Sequence, residues 1–331
     1  MIYGSVKAFM NEIIDYAGIF PPANLTLKES FENFIDYRSY KHNWMLSKFV
    51  CPFSKLTELS ELIEQNSNVS ESDKLRISIL GSLSADSLTF ERNIAKDIND
   101  IQKFLKNNGS KVIVEAFEIK LPNELMNFRE SAYFIDTLND IRKKAAIEFS
   151  HNVQIFLEAE IMTENWTDII NSLSSTLSVC NQFYLEETGY SKLGFKFRTG
   201  GVVPEAYPSC NQAAYAIMKC IQNMVPFKAT SGLHHPVRHF DEQANTKMHG
   251  FLNIFGAGVL YHSKKITPVK VKTIIEDENP DNFKFDDDSF SWCDYKVNIE
   301  EIVKARNYML SFGSCSFNEP RQDLKNLKIL R

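Results

Sequence analysis

Strand-like and helix-like segments alternate along most of this chain, and that alternation limits the folds open to it. Apolar strand-like segments fall at 44–51, 75–80, 111–119, 153–161, 193–198 and 225–230, and a helical pattern follows each of them. A further strand is expected around 13–17 and an eighth near the C-terminus. Such alternation is typical of an α/β fold with a parallel sheet. Eight units in 331 residues favour a (β/α)8 TIM-like barrel, and a doubly wound open sheet is the main alternative.

One segment interrupts this rhythm. The sequence FKFDDDSFSWCDYKV within 280–297 has the pattern of a small antiparallel hairpin, which we interpret as an insertion near the C-terminus. No linker or short repeat divides the rest of the chain. We therefore expect a single α/β barrel domain over residues 1–331, and the 44% hydrophobic content is enough to fill a large core.

Charge and hydropathy argue against several classes of partner. The formal net charge is −5, so the strongly basic surface of a nucleic-acid-binding protein is not expected. No run approaches the roughly 18 apolar residues of a membrane helix, and the N-terminus lacks the pattern of a signal peptide. The six cysteines form no CxxC pair. These features predict a cytoplasmic protein with free thiols and with neither a nucleic-acid nor a membrane partner, and they leave a homo-oligomer open.

Polar side chains recur on one face of three successive predicted strands. Alternate side chains along a strand share a face. The shared face carries Glu158 on one strand, Lys196 and Arg198 on the next, and Lys228 and Thr230 on the third. In a barrel this face points inward, near the carboxyl ends of the strands where such folds hold their active sites. Two interpretations stay open, a catalytic or binding site and a buried ion-pair layer that only fills the barrel.

Two further carboxylates lie on the strand that precedes Glu158. Glu115 and Glu118 are three positions apart, so they occupy opposite faces, and the sequence does not select which of them points inward. Glu158, with or without one of these carboxylates, is predicted to act as an acid–base group beside a lysine.

Adjacent histidines follow the Lys228 strand directly, on a strand-to-helix loop. An imidazole at that place suits acid–base catalysis or substrate binding, so we predict a catalytic role for His234 and a substrate-binding role for His235. A metal-dependent hydrolase or isomerase that uses Glu158, His234 and His235 is an alternative, although no HExxH or HxH spacing is present. Our prediction contains no metal ligand and no cofactor.

Two turns that contain glycine could bind an anion through backbone N–H groups. The first, RTGG, offers Arg198, Thr199 and Gly200, and the second, FGSCSF at 312–317, offers Gly313, Ser314 and Ser316. The alternative for the second segment is an ordinary turn with helix-capping serines. Cys315 within it is either a nucleophile or an inert buried thiol.

The segment DYAGIFPPA at 15–23 is stiffened by two consecutive prolines. Asp15 lies at its start and is predicted to reach the barrel mouth as a substrate-binding group. The alternative is that this segment forms an apolar plug at the base of the barrel.

The motifs DYAGxFPPA, KxRTGG, PFKATxGLHHP and FGSCSF together resemble an uncharacterised bacterial protein family of similar length, and the match covers nearly the whole chain. The two lysine strands and FGSCS are also similar to segments of class I aldolases of the deoxyribose-phosphate aldolase type. That resemblance implies a (β/α)8 barrel with Lys196 as the Schiff-base lysine and Lys228 as its neighbouring cation. It also implies a phosphate loop at Gly313–Ser316. Arg198 and the two adjacent histidines depart from the aldolase pattern.

These observations favour an enzyme that acts on a small anionic, carbonyl-containing metabolite. The favoured chemistry is carbon–carbon lyase chemistry through a Schiff base at Lys196 or Lys228. A second cation near a lysine lowers the pKa of the lysine and so supplies free amine, and we expect that effect here. The alternatives are the metal-dependent enzyme described above and a non-catalytic barrel that binds an anion.

Overall fold

The computed structural model describes residues 2–128, 131–188 and 190–330. The strands, numbered along the chain, are β1 (Ile14–Tyr16), β2 (Leu46–Pro52), β3 (Leu75–Leu80), β4 (Val112–Lys120), β5 (Gln154–Glu158), β6 (Gly194–Arg198), β7 (Phe227–Thr230), β8 (His239–Asp241), β9 (Thr246–Met248), β10 (Phe283–Phe285), β11 (Ser289–Trp292), β12 (Tyr295–Asn298) and β13 (Met309–Ser314). Eight of them close into a barrel in the order β1-β13-β7-β6-β5-β4-β3-β2. The predicted TIM-like barrel is confirmed.

Helices follow the barrel strands in alternation. They are α1 (Gly4–Met10), α2 (Leu27–Tyr37), α3 (Leu56–Gln65), α4 (Ser87–Asn108), α5 (Ala132–Phe149), α6 (Trp166–Thr188), α7 (Cys210–Gln222), α8 (Phe251–His262), α9 (Pro268–Glu276), α10 (Ile299–Arg306) and α11 (Asn318–Asn326). Several begin at a reciprocal side-chain cap. At α7 the Ser209 hydroxyl accepts from the Gln212 N–H while the Gln212 side chain accepts from the Ser209 N–H. Within the described residues, no helix is both long enough and apolar enough to cross a membrane.

The predicted insertion near the C-terminus is antiparallel, as expected, but it has three strands rather than two. β10 pairs with β11, and β11 pairs with β12. A second antiparallel hairpin, β8 with β9, was not predicted. It occupies part of the region after 225–230 for which a helical pattern is predicted, so helix α8 begins only at Phe251. Thr246 and Met248 lie in β9, which pairs with β8. The helical pattern of the sequence carries no information about such pairing between two segments.

The chain divides into two compact units. The first comprises Met1–Ala23, Tyr40–Ser47 and Phe197–Arg331, and the second comprises Asn24–Ser39 and Lys48–Lys196. In the first unit, every residue of α8 from Phe251 to Leu260 is buried. In the second unit, the aromatic rings of α2 pack on β2, because the ring of Phe49 lies 5.5 Å from that of Phe34. Each unit therefore has its own apolar core.

Candidate functional site

The second unit holds a buried lysine between two carboxylates. Lys196 lies in the middle of β6, and the parallel register sets it directly beside Glu158, the last residue of β5. Its Nζ is 2.8 Å from Glu158 Oε2 and 2.9 Å from Glu118 Oε2. The Glu118 side chain is only 1% exposed, whereas 11% of the Lys196 side chain remains accessible. We refer to Lys196, Glu118 and Glu158 as the lysine–dicarboxylate cluster.

The register of β4 selects which glutamate joins the cluster. Glu118 pairs with Phe156 of β5 and accepts a hydrogen bond from the Ser78 hydroxyl of β3. Glu115 does not join the cluster, because its Oε1 accepts from Arg76 Nε at 2.8 Å. The pairing of β3 with β4 shifts by one residue at this point, so the expected opposite faces of Glu115 and Glu118 do not follow from simple alternation. The choice that the sequence left open is therefore settled in favour of Glu118.

The two carboxylates of the lysine–dicarboxylate cluster favour the protonated form of Lys196 over its free amine. Burial disfavours the Lys196 ammonium, but the charges of Glu118 and Glu158 and their hydrogen bonds outweigh burial and raise the pKa of Lys196 above its ordinary value. The expectation of a lowered lysine pKa was therefore wrong. The cause is that the nearest charges are carboxylates, which stabilise the ammonium. With one ammonium and two carboxylates, these three groups together carry a formal charge of −1.

The first unit holds a second buried lysine. Lys228 Nζ is 2.5 Å from Asp15 Oδ2, and both side chains are 1% exposed. The Ser311 hydroxyl donates to the same Asp15 oxygen at 2.7 Å. β13 lies between β1 and β7, so Ser311 on β13 lies between the strands that carry the aspartate and the lysine. Ser311 was not predicted as part of a site.

Asp15 is a buried charge in β1, and it forms an ion pair. The apolar plug formed by residues 15–23 stays an untested alternative. A buried charge requires a partner, and Lys228 supplies it across the strand between them. Whether Asp15 touches a substrate stays a prediction.

The loops after β6 and β7 are joined to each other within the first unit. The Thr199 N–H donates to the Thr230 carbonyl at 2.8 Å, and the Thr199 hydroxyl donates to the Ser231 carbonyl at 2.5 Å. Gly232 has φ +75°, and a Cβ there would lie 3.1 Å from the Gly200 Cα. Glycine is required at Gly232 by this φ and by the close approach of the two loops. Thr199 and Gly200 thus have a structural task as well as their predicted substrate-binding role.

Arg198 and Thr230 differ in exposure from the buried lysines. Arg198 is exposed at the end of β6, and its Nη2 donates to the Ser231 hydroxyl at 3.3 Å. Thr230 is half-buried at the end of β7. An exposed guanidinium at the end of a barrel strand is accessible to a dissolved anion, which is compatible with the predicted clamp.

The two adjacent histidines point to different partners in the first unit. His234 is buried beside Cys315, with Nδ1 3.7 Å from the sulfur, and the same Nδ1 is 3.3 Å from Glu319 Oε2. His235 Nδ1 is 2.6 Å from Asp323 Oδ2. Both carboxylates belong to α11 and were missed. The signal that could have found them is their spacing, because Glu319 and Asp323 are four residues apart and lie on one helix face.

The electrostatics of His234 favour its charged form. Burial lowers the pKa of this imidazole, but the hydrogen bonds with Cys315 and Glu319 outweigh burial and raise the pKa to about 9. The hydrogen bond with His234 in turn lowers the pKa of Glu319. His249 behaves oppositely: burial is the main cause that lowers its pKa to about 4.

The predicted phosphate loop is partly strand. Gly313 and Ser314 are the last residues of β13. The Ser314 hydroxyl donates to the Ser316 carbonyl at 2.7 Å, and the Ser316 hydroxyl accepts from the Glu319 N–H at 3.1 Å. These contacts match the alternative of helix-capping serines, since Ser316 satisfies an N–H in the first turn of α11. Phosphate binding by Gly313, Ser314 and Ser316 stays a prediction.

Glu158, His234 and His235 were the predicted ligands of the metal-dependent alternative. Among the described residues, no group of three or more His, Cys, Asp or Glu side chains is arranged to hold a metal ion. The contacts given above are to Lys196 for Glu158, to Cys315 and Glu319 for His234, and to Asp323 for His235. The geometry therefore adds no support to a site built from these three residues.

Comparison with known proteins adds no family to this picture. No protein-family model matches the chain, and no curated protein matches it. The closed barrel makes this protein a TIM barrel. This architecture, with buried charged groups, is compatible with an enzyme.

Proposed function

We propose that this protein is a carbon–carbon lyase that binds the carbonyl group of a small anionic metabolite as a Schiff base on Lys196. The reaction type is taken from the resemblance to class I aldolases of the deoxyribose-phosphate aldolase type. The observation that carries the proposal is the position of Lys196 between two buried carboxylates, at 2.8 and 2.9 Å. Buried charges are costly, and such clusters concentrate at sites with chemical tasks.

The two carboxylates supply what a protonated lysine needs in order to react. Glu158 or Glu118 first takes a proton from the ammonium, which leaves a neutral amine. The amine nitrogen attacks the carbonyl carbon and a C–N bond forms. The carbonyl oxygen then leaves as water, with one proton from the amine nitrogen and one returned by the carboxylic acid. The product is a positively charged iminium, and the two ionised carboxylates stabilise it as they stabilised the ammonium before.

Accessibility favours Lys196 over Lys228 as the nucleophile. The Lys196 side chain is 11% exposed and the Lys228 side chain 1%. Lys196 also has two carboxylate neighbours, so one can accept a proton while the other keeps a charge partner. Lys228 is held by Asp15.

The net charge of the lysine–dicarboxylate cluster also bears on which substrate can bind there. The lysine–dicarboxylate cluster has a formal charge of −1, so it repels an anion and suits the neutral carbonyl end of a metabolite. The anionic end then requires a separate cation, and Arg198, exposed two residues later on β6, is the group we propose. The same charge disfavours a purely anion-binding barrel centred on Lys196, because a receptor for anions would not place two carboxylates against its cation.

Reductive trapping tests the proposal. The protein is incubated with pyruvate, dihydroxyacetone phosphate and a panel of small aldehydes, then treated with borohydride, which converts a Schiff base into a stable amine. We expect one covalent adduct per chain, and peptide mass spectrometry should place it on Lys196. Lys196→Met should abolish the adduct.

The matched control is Lys304→Met, which removes an exposed lysine that is paired only at the surface. This variant should keep the adduct. An adduct on Lys228 alone would overturn the assignment of the nucleophile. No adduct with any carbonyl compound, or adducts spread over surface lysines in both variants, would refute the Schiff-base function.

A further inference from the structure

A second cluster of reactive groups lies at the end of β13, separate from the groups assigned above to Schiff-base formation on Lys196. Cys315 directly follows β13, His234 lies in the loop after β7, and Glu319 lies in the first turn of α11. The sulfur is 3.7 Å from Nδ1 and 3.9 Å from Nε2 of the imidazole. Nδ1 is in turn 3.3 Å from a Glu319 oxygen. The thiol and the carboxylate thus both contact the same imidazole, and Nδ1 lies within 3.7 Å of each.

The environment of Cys315 differs from that of the other cysteines. Burial raises the pKa of Cys180 to about 11 and is the main cause that raises the pKa values of Cys51, Cys210 and Cys220. A thiol with a raised pKa stays protonated and unreactive. Cys293 is exposed, but burial and the nearby charges of two aspartates raise its pKa as well. Among the thiol contacts described, the imidazole contact belongs to Cys315.

We propose that Cys315 and His234, with Glu319, form a nucleophilic-thiol site that reacts with hydrogen peroxide or another small hydroperoxide. The thiol loses its proton to solvent, the charged His234 imidazolium stabilises the resulting thiolate, and Glu319 stabilises the imidazolium. Only 8% of Cys315 is exposed, so a small reagent is favoured over a bulky one. Glu319 also lines a surface cavity of about 390 Å³ together with Arg321 and Lys325, which brings solvent to the carboxylate end of the cluster.

The reaction balances with the peroxide as the oxidant. The thiolate sulfur attacks one peroxide oxygen, a sulfur–oxygen bond forms and the oxygen–oxygen bond breaks. The leaving oxygen takes the proton held by His234 and departs as water, or as an alcohol from an organic hydroperoxide. The sulfur is oxidised to a sulfenic acid and the peroxide is reduced. His234 is left neutral and regains its proton from solvent.

The experiment compares two cysteines within the same molecule. The intact protein is exposed to hydrogen peroxide at pH 7 in the presence of dimedone, which traps sulfenic acids, and label is quantified by peptide mass spectrometry. Cys315 should acquire label at least about tenfold faster than Cys293, although Cys293 is the more exposed. Equal or faster labelling of Cys293 would overturn the proposal without any variant.

Variants then locate the cause. His234→Asn should slow labelling of Cys315 roughly tenfold and leave Cys293 unchanged, because it removes the cation that stabilises the thiolate. Cys315→Ser should lose the label at that position. If His234→Asn folds and Cys315 reacts as fast as before, the imidazole does not activate the thiol and the proposal fails. Iodoacetamide, which alkylates thiolates, should rank the same two cysteines in the same order.

Discussion

Replacing Lys196 by methionine tests whether the lysine–dicarboxylate cluster is as tightly coupled as its geometry indicates. The substitution removes the ammonium and leaves Glu118 and Glu158 buried without it. Their nearest oxygens contact one nitrogen, so they lie within about 6 Å of each other. At that distance two charges repel by about 3 kcal/mol at an effective dielectric constant of about 20. Breaking a buried ion pair from one side costs about 3–5 kcal/mol, and we expect a loss in that range at pH 8.

The loss should depend on pH with a definite sign. The repulsion is relieved when one carboxylate takes a proton, so the pKa of that carboxyl in the folded variant is raised above its unfolded value. The folded variant then binds a proton that the unfolded chain has released, and its stability rises as pH falls from 8 to 5. The difference between wild type and Lys196→Met should therefore shrink in acid. Chemical denaturation at both pH values measures the free energy of unfolding.

Two further variants complete this test. Adding Glu158→Gln to Lys196→Met should recover part of the lost stability, since a single carboxylate no longer faces a second one. Lys304→Met, which removes an exposed lysine, should leave the denaturation midpoint close to that of the wild type. A loss below about 1 kcal/mol for Lys196→Met, equal at pH 5 and pH 8, would refute the tight coupling of the three groups.

Three other predictions follow from groups of the first unit. Lys228→Met should cost about 3–5 kcal/mol in denaturation, because it leaves Asp15 buried without its cation. Ring NMR should show His234 protonated at pH 8 and His249 neutral at pH 6, since their pKa values are about 9 and about 4. The stability contributed by charged His234 should be complete below pH 6.5 and disappear as pH rises through 9. Gly232→Ala should cost about 1–2 kcal/mol, because φ is +75°.

Each of these predictions has a matched comparison. Ser311→Ala removes only a hydrogen bond to Asp15 and should cost about 1 kcal/mol, less than Lys228→Met. Glu319→Gln should lower the measured pKa of His234, and an unchanged value would show that the carboxylate does not stabilise the imidazolium. Gly313→Ala should be tolerated, since a Cβ there meets its nearest atom at 3.7 Å. Equal losses for Gly313→Ala and Gly232→Ala would contradict the argument from φ.

Local patterns were sufficient to find the barrel strands and the buried lysines. The segment predicted at 75–80 is β3 as observed, and alternation along β6 and β7 correctly buries Lys196 and Lys228. Alternation is a property of a single strand, so it needs no knowledge of the neighbours. The same reasoning could not choose between Glu115 and Glu118, because that choice depends on how β4 is bonded to the strands on either side.

The amino-acid sequence by itself determined the alternation that builds the barrel and the face of β6 and β7 on which Lys196 and Lys228 are buried. Only the tertiary structure decided which charges meet. Asp15 and Lys228 are 213 positions apart, and His234 and Cys315 are 81 positions apart. Their contacts depend on barrel closure and loop positions, which no local period encodes. The pKa of Lys196 illustrates the consequence. A second cation was expected to lower this pKa, but the neighbours of Lys196 are carboxylates, and they raise it.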